Sequence, residues 1–160
     1  MSNTDEIFMR EAIRQAKTAA EKDEVPVGAV IVYERRIIAK AHNQIETLKD
    51  PTAHAEMIAI TQATNYLSSK WLRECTLYVT IEPCSMCAGA LVLARIARVC
   101  FGAKDPKTGA CGSVINIANH KSLNHRMEVV GGILADECSS MVSEFFQNKR
   151  KDKKAVLTND

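Results

Sequence analysis

Two short motifs limit what this chain can fold into. His54-Ala55-Glu56 opens one helical stretch and Pro83-Cys84-Ser85-Met86-Cys87 opens another. A β-rich run, Thr76–Ile81, lies between them. A C-x-x-C at a helix start brings two sulfurs onto one metal, and a third ligand must come from elsewhere. His54 lies 30 residues before Cys84. If a single strand separates the two helices, their N-termini meet at one end of a sheet. That requirement points to a layered α/β domain.

The rest of the chain agrees with this frame. Residues 5–22 place Ile7, Phe8, Ala12, Ala16, Ala19 and Ala20 at helical spacing after a Thr4 or Asp5 cap. Val27–Tyr33, entered through Pro26 and Gly28, reads as a strand. Arg36–Ala41 reads as its hairpin partner across a tight turn at Glu34-Arg35. Helices are expected over 54–67, Cys84–Ile96 and 133–150, and strands at Arg98–Phe101 and Met127–Val130. Residues 102–125 resist assignment, with glycines and polar residues around the short apolar run Val114–Ala118. The expectation is a five-stranded mixed sheet with helices on both faces. Its first two strands are antiparallel because a hairpin joins them.

Composition narrows the setting. At 160 residues, 46% hydrophobic and 25% charged, the chain has the balance of a soluble domain with one core. No apolar run approaches the 18 or so residues of a membrane span. The start, Met1-Ser2-Asn3-Thr4-Asp5-Glu6, lacks the features of a secretory signal, so a cytoplasmic location is expected. In a reducing compartment, six cysteines suggest metal binding or burial rather than disulfides. Cys75, Cys100 and Cys138 read as small buried residues. Cys111, within Gly109-Ala110-Cys111-Gly112, is expected to be exposed. The net charge of +2 is uneven: Lys149-Arg150-Lys151-Asp152-Lys153-Lys154 carries +4, which leaves −2 for the remainder. A basic end on a slightly acidic body suits a polyanion, or is simply a solvated helix end.

The two motifs also carry chemistry. Two cysteines and a histidine suit zinc, and three protein ligands leave a fourth position for water. Zinc lowers the pKa of such a water to about 7. Glu56, two residues after His54, is placed to take a proton and return it to a leaving amine. Helix N-termini add partial positive charge near the thiolates. H-x-E followed by P-C-x-x-C is the known signature of zinc deaminases of nucleobases. The reaction is thus matched to a pattern rather than deduced afresh.

Beyond the motif, the flanking segments narrow the match. Glu24–Val30, Asp50–Glu56, Thr76–Cys84, Met86–Ala90, Phe101–Gly109, Asn124–Arg126 and Gly132–Cys138 resemble the bacterial tRNA-specific adenosine deaminases, across roughly residues 5–150. The resemblance implies a cytidine-deaminase-like three-layer α/β/α domain over 1–154, acting as a homodimer. It implies hydrolytic conversion of the wobble adenosine of a tRNA anticodon to inosine. One zinc ion per chain would be held by His54, Cys84 and Cys87, with Glu56 as proton shuttle. Asn43 would bind the base. Asp105, Lys107, Asn124, His125 and Arg126 would line the path of the anticodon loop. Phe145, Phe146, Lys149 and Arg150 would touch the tRNA. No membrane and no protein partner beyond the second copy is implied. Residues 155–160 match nothing in the family and are expected to be disordered.

Plainer roles stand beside these. Asn43 could close a strand, Asp105-Pro106-Lys107 is also turn chemistry, and one of Phe145 and Phe146 is expected to join the core. Two rival functions remain. One is the same chemistry on free cytosine, cytidine or guanine, against which the loop segments and the basic end argue. The other is an inactive zinc scaffold, against which the presence of Glu56 argues.

Overall fold

In the computed structural model, which describes residues 2–159, β1 (Gly28–Tyr33) shows how the layers arise. Successive side chains point to opposite faces of a strand. Ala29 and Ile31 enter one core, and Val30 and Val32 enter the other. Both faces of the strand are therefore apolar and both must be covered.

β1 pairs antiparallel with β2 (Arg36–His42) and with β3 (Cys75–Ile81). β3, β4 (Arg98–Ala103) and β5 (Glu128–Val130) run parallel, completing a five-stranded sheet of order β2-β1-β3-β4-β5. The β1–β2 turn puts Glu34 and Arg35 at φ of 50° and 64°, the twist-matched hairpin connection. At the outer edge of β2, the amide of Lys40 donates to Oε1 of Gln62 at 2.9 Å.

One face is covered by α1 (Asn3–Glu21) and α5 (Ala135–Asn159), through Met9, Ala12, Ile13 and Cys138. The other is covered by α3 (Ala55–Leu67) and α4 (Ser85–Leu93), through Ala55, Ala59, Ala63, Ala88 and Leu91. This is the expected three-layer α/β/α architecture around a five-stranded mixed sheet. Gly28 lets α1 lie close on β1: a Cβ there would sit 2.0 Å from the Ala12 carbonyl oxygen.

Asp5 ties α1 to the sheet. Its carboxylate accepts both Nη atoms of Arg98, at 2.8 and 2.9 Å, and the Tyr78 hydroxyl at 2.7 Å. The Arg98 hydrogen bonds are the main reason its carboxyl lies well below the ordinary carboxylate range.

Several boundaries differ from the sequence reading. The α1 cap is Ser2, whose Oγ accepts the Asp5 amide at 3.1 Å, not Thr4 or Asp5. α4 stops at Leu93, short of Ile96, because Arg95 turns to φ 59°. A four-residue helix, α2 (Ile45–Leu48), was not anticipated. α5 continues through residues 155–159 of the 155–160 stretch where disorder was expected, and residue 160 lies outside the described residues. No Gly or Pro follows Gly132, so nothing in the local sequence interrupts the helix. No helix of the described residues is long and apolar enough to cross a membrane.

Candidate metal centre and active site

The strand directions decide where chemistry can occur. β3 and β4 run parallel, and β2 ends beside the start of β1 at the Gly28–His42 pair. The chain therefore leaves β2 at Asn43, β3 at Glu82 and β4 at Lys104 on a single edge of the sheet. Both motif helices begin at this edge. His54 is the N-cap of α3 and Cys84 the N-cap of α4, both with extended backbone and neither using its side chain as a cap. The side chains turn toward each other instead.

His54 Nδ1 lies 3.7 Å from Cys84 Sγ and 3.5 Å from Cys87 Sγ, and all three ligand atoms fall within 4.8 Å of one another. A tetrahedral zinc, with bonds of about 2.3 Å to sulfur and about 2.0 Å to nitrogen, sets its N and S ligands about 3.5 Å apart. The donor set and its spacing thus fit a zinc site.

The ligands influence one another's protons. Hydrogen bonding from Cys87 and then from His54 pulls the Cys84 thiol down to about 4, against burial. The hydrogen bond with Cys84, then burial, pushes the Cys87 thiol up. His54 is raised, chiefly by its hydrogen bond with Cys84. One thiolate thus makes a second costly, and a cation between the sulfurs would hold both ionised.

Glu56 is buried in the first turn of α3, 4% exposed, and burial raises its carboxyl above the ordinary range. Asn43 is buried beside it, and its Oδ1 accepts the Ala55 amide at 2.9 Å. The sequence placed both residues here, and the fold brings them to the edge where the three ligands meet.

Two residues of this edge were missed or misread. Glu82 is a buried carboxylate, 3% exposed, that accepts the amides of Asp105, Cys111 and Ser113 at 3.2, 3.0 and 3.1 Å, and the Ser113 hydroxyl. Burial opposes its charge, but these hydrogen bonds prevail and lower its pKa. Its signal in the sequence was a carboxylate directly between a strand and Pro83-Cys84. Cys111 was expected to be exposed. It is buried because the loop around it folds onto Glu82, and burial pushes its thiol up to about 12.

The chain matches the MafB19-like deaminases over residues 3–150. It is 52% identical over 155 residues to the tRNA-specific adenosine deaminase of Bacillus subtilis (strain 168), covering 97% of this chain and 96% of that protein. It is 54% identical over 147 residues to the tRNA-specific adenosine deaminase of Aquifex aeolicus (strain VF5), covering 92% and 97%. The chain belongs to the tRNA-specific adenosine deaminase family. A solved structure from studies of A-to-I editing by tRNA:A34 deaminases at the wobble position has the same fold. Its TM-score is 0.81 at 41% identity, covering 84% of this chain and 98% of that one.

Other residues singled out by the family resemblance fall into two groups. Asp105 and Lys107 lie beside the metal turn, where Gly109 bridges to Cys84. The Asp105 carboxylate is occupied by the Lys107 and Thr108 amides and the Thr108 hydroxyl, while Lys107 is exposed. Asn124 and His125 are elsewhere. Asn124 Oδ1 accepts from Arg95 at 2.9 Å, and His125 Nε2 lies 2.6 Å from the Ile96 carbonyl oxygen. Arg95 and Ile96 follow the far end of nine-residue α4, about 13 Å of helix away from Cys84. Within one chain, these residues and the exposed Arg126 are not brought to His54, Cys84 and Cys87.

Phe145 and Phe146 pack edge to face on α5, with ring centroids 5.5 Å apart. Phe145 is half-buried and Phe146 exposed, so neither joins the core as one was expected to. They line a 640 Å³ groove with Ile45 and Thr47 of α2 and with Lys22, Lys49 and Lys149. Lys149 Nζ pairs with Asp23 at 2.5 Å, and Arg150 is exposed.

Proposed function

We propose that the protein hydrolytically deaminates the wobble adenosine of a tRNA anticodon to inosine, with one zinc ion per chain on His54, Cys84 and Cys87. One observation carries the reading. A three-ligand cluster, a buried carboxylate and a buried amide side chain share one sheet edge. Zinc bound there supplies a water that ionises near neutral pH.

The chain's own residues supply the rest. Asn43 commits Oδ1 to the Ala55 amide, leaving its Nδ2 as the donor to offer a base. Burial makes Glu56 more basic than an exposed glutamate, which suits a group that accepts a proton and returns it. Glu56 takes the proton of the attacking water and passes it to the adenine ring nitrogen. It then takes the remaining proton of the added oxygen and delivers it to the departing amine. The C6–O bond forms, the C6–N bond breaks, and adenosine plus water gives inosine plus ammonia. The middle of an anticodon loop is single-stranded, so moving its base into a pocket costs less than from a duplex. Lys107, Phe145, Phe146, Lys149 and Arg150 offer charge and stacking surface to that loop. A cytoplasmic location follows from such a substrate.

The exposed side chains of Leu93, Val114, Ile115 and Leu123 support a homodimer formed around α4. In that arrangement Asn124, His125 and Arg126 would meet RNA from the partner's side. Light scattering at micromolar concentration should give twice the chain mass, and a monomer mass would contradict it. An inactive zinc scaffold is disfavoured because burying Glu56 costs free energy that a structural metal site has no use for.

The deciding experiment compares an anticodon stem-loop RNA with free adenosine, cytidine and guanine, measuring products by mass spectrometry. Inosine at the wobble position is expected, with little turnover of the free compounds. Faster turnover of a free compound would overturn the tRNA assignment.

A further inference from the structure

We propose that Glu82 is a positioning residue: its carboxylate clamps the 105–113 loop onto the turn carrying Cys84, and so sets how RNA meets the site. The inference rests on the tRNA reading above.

The hydrogen-bond inventory supports the clamp. A carboxylate offers about four lone-pair sites. Oε1 of Glu82 accepts the Asp105 amide and the Ser113 hydroxyl, and Oε2 accepts the Cys111 and Ser113 amides. All four donors come from one loop, and the side chain is left with no acceptor site for a metal or a water. Glu82 is therefore neither a ligand nor a proton carrier. Hydrogen bonds to an ionised acceptor are stronger than neutral ones, and burial sharpens the cost of losing any of them.

The fit is close from the loop's side as well. A Cβ at Gly109 would sit 2.5 Å from both Cδ and Oε2 of Glu82, so the loop lies directly against the carboxylate. The Ala110 amide adds a hydrogen bond to the Pro83 carbonyl oxygen at 2.9 Å. Apart from Gly109, only Ala110 and Cys111 of this loop are buried, so apolar packing alone holds it weakly. A second carboxylate, Asp105, shapes the tip that presents Lys107. Glu82 thus fixes the loop to the metal turn, and Asp105 fixes the loop's shape.

The test uses the full-length, zinc-loaded protein and the variants Glu82→Gln and Ser113→Ala. Glu82→Gln should keep about one zinc per chain and a kcat close to wild type. Its KM for the stem-loop should rise about tenfold. Amide exchange over residues 105–113 should accelerate while that of α3 stays unchanged. Ser113→Ala should shift KM and exchange in the same direction by less, and it decides the matter if circular dichroism shows Glu82→Gln unfolded. Unchanged exchange over 105–113 in a folded variant overturns the clamp. So does loss of zinc and kcat at constant KM, which would place the action of Glu82 on the ligand turn. If wild type does not act on the stem-loop, the tRNA reading fails, and the exchange measurement still decides whether the clamp exists.

Discussion

Asn43 Oδ1 holds the amide of Ala55 at 2.9 Å, so the residue proposed to receive the base also fixes the first turn of the helix behind His54 and Glu56. The two roles use different atoms and can be separated. Asn43→Asp keeps the acceptor and loses the donor. It should keep the hydrogen bond to the Ala55 amide while activity on the stem-loop falls at least about tenfold. Asn43→Ala loses both and should also lose about 1 kcal/mol of stability. Equal activity in wild type and Asn43→Asp would remove the base-contact role.

The metal site predicts its own stoichiometry. Elemental analysis should find close to one zinc per chain, and far less in Cys84→Ala or Cys87→Ala, since two protein ligands hold a catalytic zinc poorly. Full zinc in both variants would refute the ligand assignment.

Glu56→Ala should bind zinc and fold normally yet lose turnover by about 10² to 10⁴-fold, the usual contribution of a general acid–base group. One carboxylate serving several proton transfers allows a larger loss. Near-normal turnover in a zinc-replete sample would exclude Glu56 from the mechanism.

Strands and the His54, Cys84 and Cys87 cluster were legible in the sequence for a physical reason: both depend on local patterns. A continuous apolar run entered through Pro26 and closed by the Glu34-Arg35 turn located β1, and the first two strands were placed correctly as an antiparallel pair. His54, Cys84 and Cys87 stand in motifs whose spacing reflects coordination geometry. The loop after β4 was not legible, because distant groups hold it. Glu82 reaches Cys111 and Ser113 across 29 and 31 residues, and nothing local to Cys111 foretells that burial. Asn124 and His125 were assigned to the site by resemblance. Their partners, Arg95 and the Ile96 carbonyl, depend on where α4 ends, which its apolar run overstated by three residues.

Asp5 gives stability a defined pH dependence. Its folded pKa is depressed, so its contribution is complete above the unfolded value of about 3.9 and is lost as pH falls from there toward the folded value. At pH 7, Asp5→Asn should cost about 2 kcal/mol, because Arg98 loses its two-point carboxylate partner and keeps only the more exposed Glu128, 3.5 Å from its Nε. The gap between wild type and variant in urea unfolding should stay constant above about pH 5 and narrow below about pH 4. A gap unchanged down to pH 3 would show that the pair contributes no such linkage.

Removing residues 149–160 should weaken tRNA binding and flatten its salt dependence by about 0.7 in slope per lost phosphate contact. Rate at saturating tRNA should barely change, because phosphate contacts position a nucleic acid without doing chemistry. The exposed Lys149–Asp23 pair is no obstacle, since such pairs contribute little and Lys149 can exchange its partner for a phosphate. Superimposable salt curves for the two proteins would mean that the basic end is merely solvated.

The sheet's two borders bear on behaviour at high concentration. An open strand border is a template for adding strands from other molecules. Here one border is β5, only three residues long. The other is β2, where Arg36 and Lys40 are exposed and Gln62 already occupies the Lys40 amide. Neither border offers a long, flat, uncharged run, so the chain is guarded against fibril-like stacking. The helices and loops are left as the surfaces open to a second copy.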